Sequence, residues 1–164
     1  MTFKLSEQLD ADGTTAFTLY QKYVENNRWR FPESVLSVIE NPDWSGGYYS
    51  KSPHDGELKS ILISGIGTKE NRIELQISKL WEDVEIQINY LDVFDFNFPN
   101  IGLLEQFPSW RYEQFKFYDP YHKHGIKNKK MFIHEIEWVT GIVWSITASE
   151  IEVIWREVQS IESE

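Results

Sequence analysis

From Arg72 to Tyr90 apolar and polar residues alternate almost without a break. Ile73, Leu75 and Ile77 face one way against Arg72, Glu74, Gln76 and Ser78. After a turn at Glu82-Asp83 the rhythm returns as Val84, Ile86, Ile88 and Tyr90 against Glu85, Gln87 and Asn89. A period of two sends successive side chains to opposite faces, so the pattern predicts two neighbouring strands with one side on a core and the other in water. Upstream, Leu58, Ile61, Leu62 and Ile63 mark a strand between Glu57 and Ser64, and Gly65 to Asn71 supplies the reversal. Gly65-Ile66-Gly67 is too short for a dinucleotide loop and no helix follows it, which leaves a hairpin turn.

Past Tyr90 the phase slips, because Tyr90-Leu91 and Val93-Phe94 are both adjacent apolar pairs. A bulge or sharp twist must absorb the extra residue, so a bent strand is expected, continuing through Phe94, Phe96 and Phe98 to Pro99-Asn100. Ile101 to Phe107 suggests a helical turn, and Trp110 to Tyr118 a further strand with Phe115 and Phe117 on one face. Met131 to Thr140 and Ile142 to Thr147 form a hairpin around Gly141. The end reads two ways. Ser149-Glu150-Ile151-Glu152 has the capping-box spacing and Ile151, Ile154, Trp155, Val158 and Ile161 keep helical periodicity, yet Ile151, Val153 and Trp155 also alternate and β-branched residues dominate. The balance tips toward a strand through Trp155.

The first forty residues follow a different period. Phe17, Tyr20 and Val24, widened by Leu19 and Tyr23, make an apolar stripe for a helix from Thr14 to Asn27, with Thr14 or Thr15 as N-cap. Pro32 suits a helix start, Val35, Leu36, Val38 and Ile39 support a second short helix, and Asn41-Pro42 should end it. The expected fold is α+β: a mainly antiparallel sheet of about six to seven strands, bent or partly barrel-like, behind one or two N-terminal helices. With no linker or repeat, residues 1–164 read as one domain, helical over about 14–40 and β-rich over about 57–158.

Composition narrows the function. A net charge of −10 disfavours nucleic acid and anionic membranes as partners and would speed encounter with a basic protein, with plain solvation of the surface as the commoner role of such a charge. The absence of cysteine removes disulfides, thiolate nucleophiles and Cys-based metal sites. No secretory leader and no membrane-length apolar run is evident, so the cytoplasm is the expected compartment. Seven Trp, eight Tyr and ten Phe each carry a large area to bury or an exposed recognition face, and some are expected on the surface.

Four histidines are the candidates for chemistry. His54-Asp55, before Gly56, joins an imidazole to a carboxylate that could orient it for proton transfer, but Asp-Gly is also a common turn and no nucleophile accompanies the pair. His122 and His124 alternate in a loop with four lysines, which oppose a metal cation unless further ligands converge. His134 shares a face with Phe132, Ile136 and Trp138 and fits a hydrogen-bonded core position. No cofactor is implied. Trp44, Tyr48 and Tyr49 could form a stacking or protein-binding patch, with closure of the core as the plainer role. On the polar face of the strands, Glu74 and Glu85 are candidate contacts for a basic partner.

His54-Asp55-Gly56-Glu57-Leu58, with Ile61, Ile63, a turn and Ile73-Glu74-Leu75-Gln76-Ile77, resembles a loose group of small bacterial proteins in which a His-Asp-x-x-Leu-like start opens a β-meander. Some of these are assigned as immunity proteins of polymorphic toxin systems. The likeness runs from Pro53 to Tyr90 and weakly through Ile146 to Val153; the longer N-terminal helical segment departs from the shortest members. The group brings no catalytic residues to transfer. Together with the charge of −10, the aromatic excess and the missing catalytic constellation, the resemblance points to a non-enzymatic protein-binding domain, with an immunity protein that blocks a basic toxin as its specific form. A small hydrolase or metal enzyme using His54 and Asp55, or His122 and His124, and a small-molecule or carbohydrate binder using the loop aromatics, are the alternatives.

Overall fold

The computed structural model describes residues 13–45, 51–79, 83–102, 109–119 and 129–158. Helix α1 covers Gly13–Asn26, a 3-10 turn covers Arg28–Arg30, α2 covers Glu33–Ile39 and the one-turn α3 covers Pro42–Ser45. α2 starts after Pro32, whose carbonyl accepts from Val35 and Leu36, and stops before Asn41. The turn of α3 was not predicted; the Asn41 side chain starts it by accepting from the Asp43 N–H at 2.9 Å.

Helix α1 turns Tyr20, Tyr23 and Val24 of the predicted stripe inward but not Phe17 and Leu19. Ala16 and Val24 are buried and Tyr20 and Tyr23 half-buried, whereas Phe17 and Leu19 are exposed. Spacings of four and seven put Ala16, Tyr20 and Tyr23 on one arc, and the helix turns that arc to the sheet because its two tyrosines find backbone partners there.

Six strands form one sheet: β1 Glu57–Ser64, β2 Arg72–Lys79, β3 Val84–Asn97, β4 Trp110–Tyr118, β5 Met131–Trp138 and β6 Val143–Glu157. They lie in the order β1-β2-β3-β6-β5-β4 and every pair is antiparallel, so the fold is α+β with a dominant antiparallel sheet. Gly65 and Gly67 take positive φ in the β1–β2 turn. The phase slip falls where the pattern put it: β3 bulges between Val93 and Asp95, beside Asp92 at φ 52°. The C-terminal ambiguity resolves as strand. β6 runs unbroken for 15 residues and pairs β3 from Val84↔Glu157 to Asn97↔Ser145, so tertiary pairing overrides the capping-box spacing. The helical turn expected from Ile101 to Phe107 is described only at Ile101-Gly102; the remainder lies outside the described residues.

The two outermost strands meet at one end. Glu57 bridges Ser109, the Trp110 N–H donates to the Gly56 carbonyl at 2.8 Å and the Asp55 N–H to the Trp110 carbonyl at 2.9 Å, which curls the sheet toward a barrel. Helices α2 and α3 fill the concave side with Val35, Leu36, Val38 and Trp44, against Ile73, Leu75, Ile86, Ile88, Phe115, Phe132, Ile136 and Ile146. Ser34 Oγ accepts from the Ile151 N–H and the Trp155 indole donates to the Lys51 carbonyl, which ties the helical layer to β6. Among the described residues no helix is long and apolar enough to cross a membrane.

Gly56 sits at the closure. A Cβ there would lie 2.5 Å from Ile77 Cγ2 and 2.8 Å from the Pro53 carbonyl oxygen. Backbone cannot yield as a flexible side chain would, so Gly56→Ala is expected to cost about 1–3 kcal/mol. Urea melts of wild type and variant measure this, and equal midpoints would show that the closure has slack.

Candidate functional site

The alternation of β5 points His134 inward with Phe132, Ile136 and Trp138, and β4 presents Glu113, Phe115 and Phe117 beside it, in register Phe115↔His134. His134 is fully buried and stacks on Phe115, with ring centroids 4.0 Å apart. Both its nitrogens have partners: Tyr90 Oη lies 2.7 Å from Nδ1 and Glu113 Oε2 3.3 Å from Nε2. The line Tyr90–His134–Glu113 thus crosses three strands of the core, and the Trp44 indole also hydrogen-bonds the carboxylate.

Burial sets the protonation of this line. Desolvation lowers the His134 pKa from 6.5 to about 3, so its imidazole is neutral at neutral pH. The same cause pushes Glu113 well above the usual carboxylate range, against the Trp44 hydrogen bond, and pushes Tyr90 well above the phenol range. Two proton arrangements satisfy the geometry. In one, Tyr90 donates to Nδ1 and Nε2–H donates to an ionised Glu113; in the other, a protonated Glu113 donates to Nε2 and Nδ1–H donates to Tyr90.

Glu113 also lines a pocket of about 200 Å³ between α1, α3 and β4. Trp44, Trp110, Tyr112, Phe115 and Tyr20 make its walls, and Phe17, Gln21, His54 and Arg111 its outer part. The Tyr20 hydroxyl accepts from the Phe115 N–H at 2.7 Å and donates to the Phe115 carbonyl at 3.1 Å, and Tyr23 bonds backbone at Phe117. Burial of these phenols raises both pKa values. Arg30 stacks on Phe117 with its guanidinium carbon 3.5 Å from the ring centre.

The histidine pair proposed from sequence is local. His54 Nδ1 lies 3.0 Å from Asp55 Oδ2 but off the hydrogen-bond direction, so the contact counts as proximity only. Asp55 has φ 62°, its side chain is 83% exposed and its N–H belongs to the sheet closure; it serves the turn into β1. His54 is brought to the pocket wall beside Tyr112, at 6.2 Å between ring centroids. Of the two roles open to Trp44 the structure shows core closure: it is the buried residue of α3, 6.3 Å edge-on to Trp110. Tyr48, Tyr49, His122 and His124 lie outside the described residues. No group of three or more His, Asp or Glu side chains placed to hold a metal occurs among the described residues.

Glu74 and Glu85 lie on the convex face. Glu74 is held by Arg72 and Gln76, and Arg72, Gln87 and Glu152 converge on the amide of Asn89. Glu85 is exposed. Arg156, opposite it on β6, donates to Gln87 instead. Among the described residues no Lys or Arg pairs with Glu85, Glu150 or Glu152, while Arg28, Arg30, Lys51, Lys59, Arg72, Arg111, Lys116 and Lys129 each pair with a carboxylate. Sequence reasoning missed Glu113, whose signal is a lone acid on the Phe115–Phe117 face of β4, and saw His134 without its two partners.

No protein-family model matches the chain, and a search of curated proteins finds no match either.

The buried line makes stability depend on pH with two opposite signs. His134 has a folded pKa below its unfolded one, so its contribution is complete above 6.5 and is lost as pH falls toward about 3. Glu113 has a raised folded pKa, so its contribution is complete below 4.5 and is lost as pH rises through the folded value. Urea melts across pH should show an acid-side loss of at most about 1.4 kcal/mol per pH unit from His134, flattened in His134→Phe. Glu113→Gln should gain on wild type as pH climbs; a constant difference between about pH 4 and about pH 7 contradicts this account.

Proposed function

We propose that this protein is a non-enzymatic binding domain that recognises a basic protein through the convex face of β2, β3 and β6. The observation that carries the reading is the set of carboxylates there without a cation: Glu85, Glu150 and Glu152 project from adjacent strands with no Lys or Arg paired to them among the described residues. The net charge of −10 gives those groups a field of the same sign behind them, which raises encounter rates with a cationic surface. The resemblance of Pro53–Tyr90 to toxin-immunity proteins suggests the kind of partner, a basic toxin domain neutralised in the cytoplasm. Glu74 has a smaller part in this reading, because Arg72 and Gln76 already hold its carboxylate.

A basic toxin domain found in the genomic neighbourhood of this gene would be the partner to test. Stopped-flow association at low salt should slow several-fold in Glu85→Lys and Glu150→Lys. The deficit should shrink as salt shortens the screening length from about 10 Å at ~0.1 M to about 3 Å at ~1 M. A rate indifferent to salt and to both substitutions would sink the proposal.

A further inference from the structure

We propose that the pocket between α1, α3 and β4 is a site for a small organic ammonium ion, with the Glu113 carboxylate as its counter-ion and Trp44, Trp110 and Tyr112 as the walls that hold its hydrocarbon part. This site is independent of the convex acidic face.

Charge carries the argument. Glu113 lines the pocket, and its side chain is 18% exposed. Its two hydrogen-bond partners, the Trp44 indole and the His134 imidazole, are neutral, and among the described residues no Lys or Arg pairs with it. Arg111 lines the same pocket but is engaged elsewhere, with its guanidinium 4.9 Å from the centre of the Tyr112 ring and 3.4 Å from Glu137. A carboxylate held at an aromatic pocket without a counter-charge is costly to ionise, and a bound cation offsets that cost.

Shape and surface agree with the charge. The volume of about 200 Å³ exceeds what a single water fills, each taking about 30 Å³ of liquid. The indole and phenol faces carry negative quadrupoles that attract an ammonium group and its polarised methylenes. An anion would meet the net charge of −10, and a neutral ligand would draw nothing from an ionised Glu113.

Binding should be coupled to protons. The titratable groups around Glu113 are His134 from β5, Tyr90 from β3, Tyr20 from α1, and His54 and Arg111 at the rim. Burial keeps His134 and both tyrosines neutral near neutral pH, so a cation that favours ionised Glu113 binds more tightly as pH rises and releases a proton. His54→Gln separates the rim histidine from this effect.

The test uses the full chain with phenethylamine and choline as probes and 2-phenylethanol as the neutral analogue, read by thermal shift and calorimetry. At least one amine should stabilise the wild type, with an affinity that rises with pH in both wild type and His54→Gln; the alcohol should not stabilise it. Glu113→Gln, which keeps an acceptor for His134, should lose about tenfold or more in affinity while its circular dichroism is unchanged. Phe17→Lys, at an exposed position on the mouth, should weaken the amine by placing a fixed cation there. Stabilisation equal for amine and alcohol, affinity unchanged in Glu113→Gln, or no shift with either amine at millimolar concentration each overturns the proposal.

Discussion

The backbone pairing of Asp55, Gly56 and Glu57 with Ser109 and Trp110 sets the geometry on which the rest of the molecule depends. It draws together the two strands farthest apart in the order of the sheet and so gives the sheet an inside. A flat six-stranded sheet would offer two faces of similar exposure. The curled one has a concave side that α2 and α3 can fill, and a convex side that stays in water. Gly56 makes the approach possible, since a side chain there would meet both Ile77 and the Pro53 carbonyl.

The two sides solve the problem of polar groups differently. On the convex side, Arg72, Gln76, Gln87, Asn89 and Arg156 link across three strands in exposed or half-buried contacts, each worth little because water competes for it. On the concave side the polar groups are few and, apart from the pocket side of Glu113, enclosed. There Tyr90, His134 and Glu113 satisfy one another in a low-dielectric setting, where losing one member leaves its neighbour buried without a partner.

Much of this was legible in the chain. The strict alternation from Arg72 to Tyr90 depends only on local side-chain direction, and it gave β2 and β3 and their inward faces. The bulge after Tyr90 was readable because two adjacent apolar pairs cannot share one face of a strand. The orientation of α1 was readable only in part: Tyr20, Tyr23 and Val24 turn inward as expected, but Phe17 and Leu19 are as apolar as the residues it buries, and the choice is made by hydroxyl-to-backbone bonds 95 residues away in sequence, at Phe115. Glu113 escaped for the same reason, since a carboxylate in a strand reads as a wet position until the imidazole of another strand is set beside it. Trp44 looked like a loop aromatic because one turn of helix started by an Asn side chain has no periodicity to detect.

The hydroxyls of Tyr20 and Tyr23 occupy backbone groups of β4 at Phe115 and Phe117, on the strand that ends the order of the sheet. An outermost strand is otherwise a template for another chain, and here a helix shields it. The same helix, through Phe17, Tyr20 and Gln21, forms one wall of the pocket. Undocking α1 therefore opens the cavity and bares a pairing edge in one event. A ligand that fills the cavity and binds only the docked form would hold the helix down and, by mass action, keep that edge covered.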